Sequence, residues 1–417
     1  MILLIKNIKS LLQVDRLGIK YVKGLDMSIL PSIDNAFVIV KGDRIYDYGK
    51  MTDLDFHNQN FDEVYDATDR IVMPAFCDSH THMVFAATRE VEYVDKIRGL
   101  SYEEIAQRGG GILNSAKKIH DASEDQLFSD AMQRLKLITS YGTGAVEIKS
   151  GYGLTTESEL KMLRVIKRLK ENSDLIIKSN FLGAHSIPMK YRGRQSEYVD
   201  LIIDEMLPRI ADEQLADFVD VFCDKGFFTV EDTDRILQAA AQYGIRPKIH
   251  ANELDYSGGI QIGVKHNALS VDHLEFTGKE EMEVLKDSGT MPTILPAAAF
   301  FLGMRYAPAR EMMDFGLPVA MASDFNPGSA PSGNMQLVVS MASILYRMTP
   351  EEAINATTLN TAYAMGIEDI LGSVDKGKLA NLIITKPIPG VEYLPYAFGD
   401  NKVASVIING KFVVENK

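Results

Sequence analysis

Cysteine is nearly missing: the 417-residue chain holds only Cys77 and Cys223. That excludes a scaffold held by disulfides, and both residues lie inside apolar runs, where they read as core. Positive charge is in deficit. Lys and Arg number 44 against 57 Asp and Glu, a formal net charge of −13. On average such a surface repels nucleic acid and anionic lipid, so no nucleic-acid or membrane partner is expected. A local basic pocket for a small anion stays open. Long apolar runs are absent too. The opening Met1-Ile-Leu-Leu-Ile meets Lys6, too early for the apolar core of about 7–15 residues that a signal peptide needs. The charge-free stretch 288–304 contains Pro292 and Pro296 and falls short of the roughly 20 residues of a spanning helix. The stretch 325–346 is long enough, but Asn, Pro, Gly and Ser fill its first half. A soluble, cytoplasmic protein is expected. There is no Gly-x-Ser-x-Gly elbow, no Cys pair at zinc spacing and no dinucleotide fingerprint. Internal repeats, low-complexity segments and flexible linkers are lacking as well.

What is present fits an ordinary globular chain. Hydrophobic residues make up 46% and charged residues 24%, enough apolar material for a large core. Length alone, at about 150 residues per domain, suggests two or three domains, although one α/β barrel with insertions can exceed about 400 residues. Both ends look β-rich. Residues 36–47 are apolar on either side of a Gly-Asp turn, and 403–408 and 411–414 flank Asn409-Gly410, a strong hairpin signal. A further strand is expected at 380–384. Isolated hairpins are marginal in water, so the two ends are expected to pair into one sheet. Between them, short apolar runs alternate with helical stretches, the pattern of βα units. Eight strands are expected, at 72–77, 145–149, 176–182, 218–222, 247–250, 270–273, 291–295 and 319–322. Ser123 and Thr156 read as helix N-caps followed by acidic first turns. The expected fold is α/β: a (β/α)8 TIM-like barrel over 71–369, with a small composite β-sandwich domain made from 1–70 and 370–417.

Chemistry in such a barrel sits at the C-terminal strand ends, and unusual polar residues gather there. The first strand is followed by Asp78-Ser-His80-Thr-His82. Two histidines two apart on an extended chain point the same way and can share a metal; a surface or capping pair is the alternative. Strand five ends in Lys248-Ile-His250-Ala-Asn-Glu253, strand six in Val271-Asp272-His273 and strand eight in Ser323-Asp324. Singly, a His at a strand end is more often a hydrogen-bonded structural residue, and an Asp after a strand more often a helix cap. Together they are informative: five of the eight histidines (80, 82, 185, 250 and 273) fall at strand ends. Imidazole and carboxylate suit Zn²⁺, and also Fe²⁺, Mn²⁺ or Co²⁺.

These residues resemble the amidohydrolase superfamily: His-x-His after strand one, His on strands five and six, Asp after strand eight, and β-rich flanks. His250-x-x-Glu253 resembles its one-metal branch, with cytosine deaminase as a relative. Two-metal members carry a carboxylated Lys at the end of strand four, where this chain has Phe222-Cys-Asp224-Lys225 with no inward Lys, and Lys149 ends strand two instead. That departure favours one metal. Further segments narrow the resemblance to the imidazolonepropionase family: Ser79-His-Thr-His-Met-Val-Phe-Ala-Ala-Thr-Arg89, Arg108-Gly-Gly-Gly-Ile112, Glu147-Ile-Lys-Ser-Gly-Tyr152-Gly-Leu, Phe181-Leu-Gly-Ala-His185, Leu295-Pro-Ala-Ala-Ala-Phe and Ser323-Asp-Phe-Asn326-Pro-Gly328-Ser329.

The resemblance implies hydrolysis of 4-imidazolone-5-propanoate, a ring amide with a propanoate arm, to N-formimidoyl-L-glutamate in histidine breakdown. It implies one divalent ion, Zn or Fe, held by His80, His82, His250 and Asp324. It also implies a homodimer. Glu253 would hold the attacking water, shuttle a proton and bond the ring; a first-turn helix acid is the alternative. His273 would polarise the carbonyl or assist proton transfer, or instead orient Asp324 or the water. Arg89 would grip the propanoate, or else form a surface ion pair with Glu90 or Glu92. Tyr152 and His185 would add hydrogen bonds, unless they are buried groups satisfied by backbone. Asn326, Gly328 and Ser329 would bring backbone N–H groups to the ligand, or form an unremarkable tight turn. Tyr102 and Gly109-Gly-Gly111 lie on a long loop that is a candidate lid over 99–112, or an ordinary flexible loop. The glycines lack the preceding strand and following Lys-Ser/Thr of a phosphate loop. Residues 335–345 read as an apolar helix for core or subunit contact. Two other readings remain: a one-metal deaminase of a cytosine- or guanine-like ring, and a non-catalytic scaffold on the same barrel.

Overall fold

The computed structural model describes residues 1–55, 60–100 and 110–416. Among them the strands form two sheets of eight. The first comes from the chain ends: β1 (Ile2–Leu12), β2 (Ser32–Lys41), β3 (Arg44–Lys50), β4 (Glu63–Asp66) and β5 (Ile71–Pro74). The second holds β6 (Phe76–Asp78), β7 (Thr143–Lys149), β8 (Ile176–Ala184), β9 (Phe218–Cys223), β10 (Arg246–Ala251), β11 (Ser270–His273), β12 (Met291–Ile294) and β13 (Ala320–Met321). Then β14 (Leu382–Thr385), β15 (Val403–Ile408) and β16 (Lys411–Glu415) return to the first.

Strands β6 to β13 pair in chain order and in parallel. The chain just past β6 meets the chain just past β13, where Thr81 and Phe325 form a parallel bridge and the His82 N–H donates to the Phe325 carbonyl at 2.9 Å. This is the expected barrel, and its strands alternate as the pleat requires. In β7, Val146 and Ile148 join the main core, while Glu147 and Lys149 meet side chains from β9, β10 and β11.

The other sheet runs β16-β15-β14-β5-β1-β2-β3, with β4 beside β1. Leu3, Ile5, Val38, Val40, Leu382 and Ile407 share its apolar core. The two chain ends meet across β5, which pairs with β1 on one side and β14 on the other.

The run 72–77 departs from expectation. It is two strands of different sheets, divided at Ala75. The Ala75 N–H bonds to Asn381 in the end sheet, and the Phe76 N–H bonds to Gly142 in the barrel. Ser123 caps its helix, Glu124–Ser140, as expected. The next cap is Thr155 rather than Thr156: Thr155 is extended and accepts the Ser158 N–H, which makes Thr156 the first helical residue. The terminal hairpin turns at Asn409 and Gly410, both with positive φ, as a tight two-residue turn demands. Cys77 and Cys223 are buried and unbridged. No helix among the described residues is long and apolar enough to cross a membrane.

Candidate active site

The strand ends bring His80, His82 and His250 together, with ligand atoms all within 4.8 Å of one another. His82 Nε2 lies 3.3 Å from His80 Nε2 and 3.5 Å from His250 Nε2. Asp324 Oδ1 lies 3.5 Å from Nε2 of both His80 and His82. The far ring nitrogens set the tautomers. Asp272 Oδ2 accepts from His80 Nδ1 at 2.7 Å, and Asp220 Oδ1 accepts from His250 Nδ1 at 3.0 Å. Each Nε2 lone pair is thereby turned inward, the way carboxylates orient imidazoles toward a metal. Burial holds His80 and His82 well below the usual imidazole pKa, aided by the neighbouring charges, so both rings are neutral at pH 7. The Nε2 lone pairs of His80 and His250 converge with His82 Nε2 and Asp324, an arrangement suited to a cation between them.

Beneath this centre lies a sealed ionic cluster. Lys149 Nζ donates to Glu147 at 2.6 Å and Asp220 at 2.8 Å. Lys248 Nζ donates to Glu147 at 2.5 Å and to the Ser79 carbonyl at 2.9 Å. All of these side chains are fully buried. Burial works against the Lys149 charge, but Asp220, Glu147 and Asp272 outweigh it and raise its pKa. With Asp272 and Asp324 included, four carboxylates face two ammoniums, a formal excess of two negative charges. A divalent cation fits this excess and this donor set. Among the described residues no other group of three potential ligands meets the same test.

Glu253 and His273 flank the centre. Glu253 Oε2 is 3.8 Å from His273 Nε2, and His273 Nδ1 is 3.9 Å from Glu275 Oε2. Burial, then the charges of Asp324 and Asp224, push the Glu253 carboxyl up to about 8. Burial raises Asp324 to about 7, although Asn326 and Ser329 bond to it. His273, Leu274, Asn252 and Asp324 all have positive φ, the kind of backbone strain that gathers at functional sites.

A cavity of about 560 Å³ opens over these groups. Arg89, Tyr152, His185, Asn326, Gly328 and Ser329 line it together with His82, His250, Glu253, His273 and Asp324. Arg89 pairs with Glu92, Nε at 2.7 Å and Nη2 at 2.6 Å from Oε2. The guanidinium lies against Gly328, where a β-carbon would overlap it. His185 Nδ1 donates to the Gly151 carbonyl at 3.0 Å, leaving Nε2 as an acceptor. Burial pushes the Tyr152 phenol up, so it stays a donor. The turn after β13 is closed on itself: Asn326 Oδ1 accepts the Gly328 and Ser329 N–H groups at 2.7 and 2.8 Å. Both N–H groups, expected to lie close to a ligand, are thus engaged within the turn. The Ser329 hydroxyl instead donates to Asp324 Oδ2 at 3.3 Å. Tyr102 and Gly109 lie outside the described residues.

The buried cluster of Glu147, Lys149, Asp220, Lys248 and Asp272 carried no role in the sequence reading, nor did Asp224 or Glu275, whereas the Arg89–Glu92 pair is the alternative named there for Arg89. The local signal was a charge set in an apolar strand, as in Phe218-Val-Asp-Val-Phe222. Periodicity alone does not tell which face of the sheet such a charge takes.

A near-closed parallel barrel with a His₃Asp centre at its strand ends defines a metal-dependent hydrolase of the TIM-barrel class. A model of the amidohydrolase family matches residues 71–413. The imidazolonepropionase of Christiangramia forsetii is 54% identical over 413 residues, covering 99% of this chain and 100% of that one. The imidazolonepropionase of Flavobacterium johnsoniae is 55% identical with the same coverage. A mutant atrazine chlorohydrolase of Arthrobacter aurescens, solved with zinc and atraton, has TM-score 0.73 at 16% identity over 99% of this chain and 95% of that one, a likeness of fold. The chain belongs to the amidohydrolase family and, within it, to the imidazolonepropionases.

Proposed function

We propose that the chain opens the ring of 4-imidazolone-5-propanoate, adding water across the ring amide C–N bond to give N-formimidoyl-L-glutamate. The observation that carries this reading is full-length identity above one half to imidazolonepropionases, and the cavity agrees with it. His80, His82, His250 and Asp324 would hold one divalent ion, Zn or Fe; three imidazoles and a carboxylate suit either. Such an ion, when bound, supplies an activated water and a Lewis acid at neutral pH.

The protein groups do the remaining work. Arg89 pairs with the propanoate arm and fixes the ring in the cavity. Tyr152 donates to the ring from one side, and the His185 acceptor nitrogen receives a ring N–H from the other. Glu253 takes a proton from the attacking water and delivers it to the ring nitrogen as the C–N bond breaks. His273 stands beside Glu253 and the scissile carbonyl and stabilises the developing oxyanion. Ser329 and Asn326 hold Asp324. One water is consumed, and the ring carbonyl leaves as a carboxylate. We place the enzyme in the cytoplasm, acting on a small diffusible substrate.

The test is an assay with freshly prepared 4-imidazolone-5-propanoate, following loss of its ultraviolet absorbance and appearance of formimidoylglutamate. No turnover by metal-loaded protein would remove the reading.

A further inference from the structure

The residues after β9 have no role so far. Lys225 points outward, its ammonium 2.9 Å from Asp255. Asp224 is buried, 4% exposed, and turns onto the loop that leaves the neighbouring strand. Its Oδ2 accepts the Glu253 N–H at 2.7 Å and the Leu254 N–H at 2.8 Å. Its Oδ1 accepts the Lys225 N–H at 2.7 Å and the Ser257 hydroxyl. One carboxylate therefore fastens both ends of the turn 253–257. The other side of the turn is tied to the chain past β11. The Phe276 N–H donates to the Asn252 carbonyl at 2.8 Å, and Asn252 Nδ2 donates to the Phe276 carbonyl at 2.9 Å.

Two features make this clamp more than a loop tie. Asn252 has φ +55°, so the chain bends sharply between the metal-facing His250 and Glu253, and such a backbone keeps its shape only where its surroundings hold it. The Glu253 carboxylate itself has no hydrogen-bonded partner among the described residues, and His273 Nε2 stands 3.8 Å from it. Its place over the centre is set by its backbone, and its backbone by Asp224.

We propose that Asp224 is the positioning residue of Glu253: it clamps the turn so that the Glu253 carboxylate hangs beside His273 at the metal centre. This rests on the proton-transfer role given to Glu253 above.

The experiment compares Asp224→Ala, Asp224→Asn and Glu253→Gln in metal-loaded, full-length protein. One amide oxygen can accept both the Glu253 and Leu254 N–H bonds, as Oδ2 does, so the Asn variant keeps the end of the clamp that holds Glu253 and gives up the Lys225 N–H bond to Oδ1. Asp224→Ala is expected to lower kcat ~10–100-fold, the cost of a misplacement near 1 Å. Its KM and bound metal per chain should stay within ~3-fold of the parent, and Asp224→Asn should keep kcat within ~5-fold. The double variant Asp224→Ala with Glu253→Gln should be no slower than Glu253→Gln alone. A purely fold-supporting residue would reduce soluble yield and leave kcat per metal-loaded chain unmoved, and that result overturns the proposal. So does parental kcat in Asp224→Ala when Glu253→Gln is inactive. If Glu253→Gln retains parental kcat, the role of Glu253 itself falls instead. Should Asp224→Ala be insoluble, Asp224→Glu keeps the charge but displaces the acceptor by about one bond length, and the same kcat loss is required of it.

Discussion

Arg89 already holds a carboxylate. Glu92 takes its Nε and one Nη2 position and is itself held by the Gly111 N–H at 3.0 Å, so a propanoate arm bound as proposed would meet the remaining Nη hydrogens. Arg89→Met removes the cation alone. KM for the imidazolone is expected to rise ~10–100-fold, the loss of a charged hydrogen bond worth about 1.5–3 kcal/mol, while kcat and bound metal stay near the parent. Steady-state kinetics with metal analysis decide it, and an unchanged KM would return the neutral-ring deaminase to consideration. Asp324 allows a second prediction. Burial raises it to about 7, and a ligand carboxylate must be ionised to bind metal. Below about pH 7 protons compete, so apparent metal affinity should weaken roughly tenfold per pH unit. Competition against a chelator at several pH values would reveal a flat profile if Asp324 is no ligand.

The helix Thr156–Glu171 governs the loop that presents Tyr152. Glu159 reaches back from its first turn and accepts the N–H groups of Gly151 at 3.0 Å, Gly153 at 2.7 Å and Leu154 at 2.8 Å. Gly153 lies so close to the helix backbone at Ser158 and Glu159 that a β-carbon would overlap it. Glu159→Ala would orphan three buried donors. It is expected to cost about 3 kcal/mol, read as a lower urea midpoint at an unchanged slope. A midpoint within about 0.5 kcal/mol of the parent would mean the loop finds other partners. Local rules reached this element partly. A Thr cap with an acidic first turn was legible, but the position was one residue off, because backbone dihedrals rather than residue type choose between Thr155 and Thr156. The division of 72–77 at Ala75 was hidden for a related reason. Every residue in the run is apolar, and which sheet receives each N–H depends on strands some 70 and 300 residues away.

The whole molecule carries its charge problem inside as well as outside. Glu147, Asp220, Asp272 and Asp324 stand against Lys149 and Lys248 inside the barrel, a formal excess of two negative charges, once Asp324 is ionised, in the metal-free chain. In that state Glu253 lies near 8 and Asp324 near 7, both above their ordinary values of 4.5 and 3.8. Raised acids bind protons more tightly when folded, so their stabilising contribution is complete below about pH 4. It is lost as pH climbs through about 7 to 8. Chelated protein should therefore lose stability across that window. Metal at 100 times its pH 8 Kd should add about 2.7 kcal/mol at pH 8, and the same concentration should add less at pH 5.5, where protons weaken its affinity. Urea midpoints with and without chelator test both signs.

The barrel and the polar residues at its strand ends were readable from residues in order, because a parallel strand is a short apolar run and polar residues fall where such runs end. His80, His82, His250 and Asp324 each stand at such an end, and that placement is a local property of the chain. The ionic cluster, the Asp224 clamp and the choice of Glu92 over Glu90 as the partner of Arg89 were decided only by folding. Lys149 and Asp220 are 71 residues apart in sequence, and Asp224 meets Glu253 across 29. A charge becomes a partner only when closure of the barrel removes water from both, and no local pattern records which two charges that closure will bring together.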